Sequence, residues 1–286
     1  MVSVGQPWGK RVAGWGGRAH EGLDFGWCKS GGWLMSVIPT LFRPLQQFFR
    51  SGPLPCPYLP GKVERKLFTR LSGPHAAEVN STLSRAGFRR SHDIVYRPVC
   101  PGCDACVPVR IPVADFTPGR TMRRLQRLNA DLVVTGTPAL ATVEQYRLFT
   151  AYQQSRHGDS DMARMSLADY SAMIDEGRAE TTIFELHTDA RKLLGAILTD
   201  RLEDGLSAVY SFFEPGEQRR SLGTYMILAL IEQARRENLP YVYLGYWIEA
   251  SRKMAYKARF YPLEALGREG WARMDRPPVS DADAQE

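Results

Sequence analysis

No part of this sequence approaches the roughly 20 consecutive apolar residues that a membrane span needs. Its longest apolar-leaning stretch, 31–42, is short and broken by Pro39. Cysteine is scarce and odd in number, five in 286 residues. A small secreted domain held by disulfides would look different, so a reducing, cytoplasmic compartment is expected. There is no Gly-x-Ser-x-Gly elbow and no recognisable nucleophile triad. Acidic residues are outnumbered, 31 Asp and Glu against 37 Lys and Arg, a formal charge of +6. That balance hints mildly at an acidic or nucleic-acid partner. What remains is ordinary: 44% hydrophobic and 24% charged residues exclude a wholly disordered, collagen-like or coiled-coil chain. The length suits one large or two small domains with a real core.

Residues 1–34 differ from the rest. They hold four of the six Trp and nine of the 25 Gly, without a period of 2 or 3.6. Two readings stay open: a flexible targeting or binding arm, or translated upstream sequence with Met35 as the start. No compact apolar stretch follows Lys10 and Arg11, which argues against a signal peptide. The far end, 272–286, is Pro-rich and then acidic, as in a solvated, disordered tail.

Between these ends the pattern is mixed α/β. Ser72-Gly-Pro74 reads as a helix start with Ala76, Ala77, Val79 and Leu83 as its apolar stripe and Gly87 past its end. A strand is expected over 88–97. Val107 to Val113 alternates with period 2 between two prolines, suggesting an edge strand. Thr142-x-x-Gln145 forms a capping box, and a second helix starts at Ser166. Strands follow over 181–187 and 193–201, then the turn signal Asp204-Gly205 and a returning strand to Phe213. A polar turn leads into a long helix over 221–237. Tyr241 to Trp247 is wholly apolar and so expected to be central. A short basic helix, 251–259, closes the series.

That order resembles the GNAT acyltransferase fold, in which the turn before the long helix cradles an anionic donor at the helix N-terminus. Here the turn is Arg219-Arg220-Ser221-Leu222-Gly223-Thr224. Its glycine spacing is poor for the usual phosphate loop, which disfavours coenzyme A. Longer motifs make the resemblance specific. Cys56-Pro-Tyr-Leu-Pro60, Glu64-Arg-Lys66, Gly87-Phe-Arg-Arg90, Tyr96-Arg-Pro98 and Cys100-Pro-Gly-Cys103-Asp-Ala-Cys106 resemble the N-terminal domain of the arginyl-tRNA–protein transferase superfamily. Glu144-Gln-Tyr146, Arg156-His157, Val209-Tyr-Ser-Phe-Phe213, Arg220 to Thr224, Tyr241 to Trp247 and Ser251-Arg-Lys-Met254 resemble its C-terminal domain. The wording is that of the bacterial branch, the aspartate/glutamate leucyltransferases. The resemblance implies a small Cys-containing N-terminal domain, 35–137, packed on a GNAT-like domain, 138–271. It implies transfer of leucine from leucyl-tRNA to the N-terminal amine of proteins starting with Asp or Glu, as a degradation signal. Alternatives are arginyl transfer within the same superfamily, a coenzyme A-dependent acetyltransferase, or a non-enzymatic Cys-rich nucleic-acid-binding module.

The chemistry asks for little. An α-amine with a pKa of about 7.7–8.0 attacks an activated ester, so positioning and oxyanion donors could supply most of the rate, with no cofactor required. Tyr243 and Tyr246 near the end of the central strand are candidate proton-handling groups, against the reading that they are core aromatics. The acceptor carboxylate calls for Arg, with Arg97 favoured over Arg90 and Arg89. Arg219, Arg220, Ser221, Gly223, Arg252 and Lys253 are the candidate contacts for donor tRNA. The run Arg120-x-x-Arg123-Arg124-x-x-Arg127 is either a phosphate-facing stripe or a solvated helix face. Cys56, Cys100, Cys103 and Cys106 could hold an iron–sulfur cluster or Zn²⁺, or could be packed thiols near the acceptor site.

Overall fold

The computed structural model describes residues 46–158, 160–175 and 179–275. The expectations for 1–34 and for the acidic end beyond 275 lie outside them. In chain order, short strands β1 (Phe49–Arg50), β2 (Leu54–Pro55), β3 (Val63–Glu64) and β4 (Lys66–Arg70) precede helix α1 (Ala76–Arg85). Strands β5 (Arg89–Ser91), β6 (Ile94–Pro98) and β7 (Val107–Pro112) lead to α2 (Arg120–Leu128), β8 (Val133–Pro138), α3 (Val143–His157) and α4 (Leu167–Asp175). Then come β9 (Thr181–His187), β10 (Leu193–Leu202), β11 (Gly205–Phe213), α5 (Leu222–Arg236), β12 (Tyr241–Trp247), α6 (Arg252–Ala255), β13 (Glu264–Gly267) and β14 (Gly270–Arg273).

Eight strands form one sheet in the order β14-β13-β7-β12-β11-β10-β9-β8; a smaller sheet runs β1-β4-β6-β5, and β2 pairs with β3. The described residues from Gln47 on form a single compact unit. Strands β7 and β8, both N-terminal to the expected boundary at 137/138 or touching it, belong to the large sheet.

Alternation along the strands divides the core. Phe184 and Leu186 of β9 face the cluster built around Met226, Leu230 and Ile231 of α5. Their neighbour Ile183 faces the cluster of Phe149, Tyr170 and Met173 from α3 and α4. The sheet is therefore covered on both faces. The capping box at the start of α3 is present, with Gln145 N donating to Thr142 Oγ1 at 3.1 Å and Thr142 N to Gln145 Oε1 at 3.0 Å.

Three expectations change. The strand over 88–97 is a hairpin, β5 and β6, with His92 at φ 55° in the turn. Strand β7 lies inside the sheet, between β12 and β13, not at an edge. It tolerates Pro108 and Pro112 because β13 pairs only with Val109 and Arg110 between them. The most buried positions of α1 include Asn80, Ser81 and Ser84. This helix is wedged between the two sheets: its apolar side meets Leu71 and Val95, and its polar side meets β10.

That polar contact centres on a buried ion pair. Arg90 Nε and Nη2 donate to Asp200 at 2.6 and 2.7 Å, and Asn80 and Thr181 add donors at 3.1 and 2.9 Å. Both charges are 1–2% exposed. Removing one partner strands the other in low dielectric, so Asp200→Leu should cost about 3–5 kcal/mol in urea unfolding. Adding Arg90→Met should recover part of that loss. Strictly additive losses would contradict the pair.

Candidate functional site

The site begins with a backbone irregularity. Strands β11 and β12 run parallel but pair only at Gly205↔Tyr241, Leu206↔Val242 and Ser207↔Tyr243. A Cβ on Gly205 would lie 2.4 Å from the Tyr241 carbonyl oxygen, so glycine permits the close approach at this end. Beyond it the strands separate. On the outer edge of β11, Tyr210 pairs with Leu198 and Ala208 with Thr199, leaving Val209 as an extra residue. On the outer edge of β12, Tyr243 pairs with Arg110 and Gly245 with Val109, leaving Leu244 as an extra residue. A bulge bends its strand and raises its twist. Two bulges at the same level, on opposite outer edges, open a fork between residues 208–213 and 244–247.

Polar groups inside a fork need partners other than a ladder. Arg89, half-buried on β5, reaches in and donates from Nη2 to the Val209 carbonyl at 2.6 Å. Its path exists because Gly245 has φ +70° and no side chain; a Cβ there would meet Arg89 Nη1 at 2.8 Å. Lys257 donates from Nζ to the Tyr246 carbonyl at 2.5 Å and is 4% exposed. Arg89 eases deprotonation of the phenols of Tyr58, Tyr210, Tyr246 and Tyr256, opposing the burial that raises them, and it helps lower Lys257. The Trp247 indole N–H, at the end of β12, is buried without a partner. The result is a cationic, phenol-lined recess. Arg89 lies in it on the strength of the β5–β6 register, which pairs it with Tyr96 and so points both to one face. Lys257 carried no sequence signal beyond membership of a basic segment.

The other expected site residues fall as follows. Arg90 points to the opposite face and is taken up by Asp200, so it has no free fork for an acceptor carboxylate. Arg97 is exposed, and alternation puts it on the Val95 face, opposite Arg89 and Tyr96. The surroundings of Tyr243 and Tyr246 are structural. Tyr243 donates to Asp204 at 2.8 Å and accepts from Arg110 at 3.0 Å. Tyr246 bridges the Gly87 and Tyr96 carbonyls at 2.9 and 3.0 Å, tying β12 to the β5–β6 hairpin. Burial pushes both hydroxyls up, favouring their protonated form.

In the donor turn, Arg220 pairs with both oxygens of Asp131 at 2.8 and 2.9 Å and with Glu217 at 3.3 Å. It therefore organises the turn instead of offering a free cation. Ser221 takes the left-handed conformation, φ 45°, as α5 begins, and Gly223 lies against the Phe213 ring. Arg219 and Lys253 are exposed. Arg252 starts α6, and its side chain lies outside the described part.

The four described thiols, Cys56, Cys100, Cys103 and Cys106, gather around a small opening of about 40 Å³ that Tyr58 also lines. Burial and then the Cys100, Cys56 and Cys103 sulfurs push the Cys106 thiol up to about 12. Among the described residues, no group of three or more His, Cys, Asp or Glu is arranged to hold a metal ion. No chemical step is derived through a cluster or Zn²⁺.

Lys257 supplies a test of the recess. Burial first, and then Arg89, hold its ammonium well below the usual range. An unfolded lysine titrates near about 10.4, so the unfolded chain binds more protons and this group makes stability rise with pH up to that value. Lys257→Met removes the contribution. The variant's stability relative to the parent should be highest near neutral pH and fall as pH approaches about 10. A difference that stays constant across that range in denaturant titrations would show that Lys257 is charged in the fold.

Comparisons with known proteins show the family of the chain. The family profiles described as "Arginine-tRNA-protein transferase, N terminus" and "Arginine-tRNA-protein transferase, C terminus" match residues 54–124 and 144–267. A protein of Paramagnetospirillum magneticum named aspartate/glutamate leucyltransferase is 54% identical over 226 residues, 79% of this chain and 93% of that protein. One of the same name from Granulibacter bethesdensis is 52% identical, covering 88% of this chain and 92% of that protein. Among solved structures, FemX aligns with a TM-score of 0.39 at 9% identity, over 63% of this chain and 62% of that one. With both halves of its body matched in order, and at over 50% identity to relatives across most of its length, the chain belongs to the arginine-tRNA-protein transferase family, beside the proteins named aspartate/glutamate leucyltransferase.

Proposed function

We propose that this protein transfers leucine from leucyl-tRNA to the α-amine of proteins whose first residue is Asp or Glu, marking them for degradation. The observation that carries the reading is Arg89, a cation inserted between two strands that have no ladder to offer it. The ester end of the donor enters the fork between β11 and β12. The acceptor's side-chain carboxylate pairs with the Arg89 guanidinium, which brings the α-amine to the same place. The amine nitrogen bonds to the ester carbon and loses a proton; the carbon–oxygen bond to the ribose breaks, and the ribose oxygen gains one. The Trp247 indole N–H, buried without a partner, is available to the developing oxyanion. A fraction of the amine is neutral near pH 7, so positioning supplies most of what the step needs, and no cofactor is called for.

The same recess argues for leucine over arginine as the donor side chain. The groups beside the Arg89 charge include four phenols and one amine. A second guanidinium would meet repulsion there. The nearby Glu64 is engaged by Lys66 at 3.1 Å. No helix among the described residues is long and apolar enough to cross a membrane.

A transfer assay tests this directly, with leucyl-tRNA, arginyl-tRNA and acetyl coenzyme A as donors and peptides starting with Asp, Glu, Asn or Ala as acceptors. Leucyl-tRNA with Asp or Glu peptides should be the productive combination. Arg89→Gln should raise KM for Asp peptides and shrink their advantage over Asn peptides by on the order of tenfold or more, because an unpaired buried charge is costly. Arg97→Gln, on the other face, should change that ratio little. Full discrimination in Arg89→Gln would place the carboxylate reader elsewhere.

A further inference from the structure

Several arginines at the surface of this protein pair with a neighbouring carboxylate. Arg70 pairs with Asp93, Arg85 with Glu203, Arg164 with Asp161, Arg201 with Glu237, Arg235 with Glu232 and Arg273 with Asp115. Helix α2 differs in clustering its arginines without any acidic residue. It carries Arg120, Arg123, Arg124 and Arg127, all exposed, and no acidic residue. No Asp or Glu occurs from 116 to 130, and the flanking Asp115 and Asp131 are engaged by Arg273 and Arg220. Arg123 turns back to the Pro118 carbonyl at 2.7 Å. Arg120, Arg124 and Arg127 have no ion-pair partner among the described residues, and their i, i+4, i+7 spacing aligns them along one face. A solvated face that served only solubility would carry both signs; this one carries a single sign over about 10 Å of helix.

Its placement gives the stripe a direction. The Asn129 side chain, at the end of α2, donates to the Arg220 carbonyl at 2.9 Å, so the helix ends against the turn that starts α5. At the other end of α5, Arg235 donates to the Val113 and Phe116 carbonyls at 3.3 and 3.1 Å, just before α2 begins. The two helices are therefore antiparallel. The stripe runs from Arg120 through Arg124 and Arg127 toward the turn with exposed Arg219, at the head of α5.

We propose that Arg120, Arg124 and Arg127 form the docking surface for the RNA backbone of the donor, which leaves the fork past Arg219 and lies along α2. This rests on the tRNA-dependent function argued above. Each arginine meets a phosphate, releases its counterion and contributes affinity that falls with salt. Contacts of this kind carry no base information, so they serve any tRNA bearing the right amino acid.

The test compares the full-length protein with Arg120→Gln/Arg124→Gln/Arg127→Gln, with the corresponding triple lysine variant, and with a charge-matched control, Arg70→Gln/Arg164→Gln/Arg273→Gln. Binding of leucyl-tRNA and of anionic phosphatidylglycerol vesicles is titrated across salt, and melting checks each fold. The α2 glutamine variant should bind leucyl-tRNA on the order of tenfold more weakly at low salt, with a log–log salt slope smaller by about 2–3, near one per lost phosphate. The lysine variant should keep the slope, since Lys also meets a phosphate as a point charge. The control should keep both affinity and slope, and the KM for an Asp peptide should stay within about twofold in the α2 glutamine variant, since acceptor binding lies at Arg89. An active parent with an unchanged slope in the α2 glutamine variant would overturn the docking surface alone. So would an equal loss in the control, or a loss confined to vesicle binding. A parent unable to use leucyl-tRNA would overturn the function and the surface together.

Discussion

The site rests on a parallel strand pair that stops pairing after three residues. Once β11 and β12 part, their facing backbone groups cannot be satisfied by a ladder, and the interior of a sheet covered on both faces holds little water to replace it. The protein answers with side chains. Arg89 takes the Val209 carbonyl and Lys257 the Tyr246 carbonyl. Arg89 is a cation, and its charge gives the recess its chemical character, while burial disfavours the charged form of Lys257. An opening framed by two bulges thus holds a cation, Arg89.

Rigidity around the fork follows from buried polar ties across the unit. Arg90 and Asp200 lock the β5–β6 hairpin to β10, which fixes the strand that carries Arg89. Tyr246 holds the same hairpin to β12. On the far side of β12, Arg110 stacks on Tyr241 and Trp271, its centre 3.4 and 4.4 Å from their rings. It also bonds Tyr243 and Glu264. Adjacent residues thus do opposite jobs: Arg90 anchors, and Arg89 faces the recess. Strand alternation alone separates them.

Much of the second half was legible in the sequence. Periodicity and punctuation placed β9, the β10–β11 hairpin, α5 and the central β12 within a residue or two, because each is long and strongly patterned. The first half was harder. The β5–β6 hairpin turns at His92, which takes a left-handed φ without glycine to announce it. Strand β7 looked like an edge because its prolines are compatible with an interior position only when a neighbour is as short as β13. Motif resemblance brought Arg89, Arg90 and Arg97 forward together. Arg89, Arg90 and Arg97 are equivalent as residue types; register and burial distinguish them. Lys257 and the two bulges had no local signal, since both depend on pairing between segments far apart in sequence.

The claim that the fork is where amine meets ester is tested most directly by a crystal structure with both substrates in place. The ligands would be 3′-leucylamido-adenosine, a non-hydrolysable mimic of the donor's end, and a short peptide starting with Asp. The account predicts the leucyl carbonyl between residues 208–213 and 244–247, and the Asp carboxylate within hydrogen-bond distance of the Arg89 guanidinium. A leucyl group bound outside the fork, or a carboxylate held by Arg97 on the opposite face with Arg89 still closed on Val209, would contradict it.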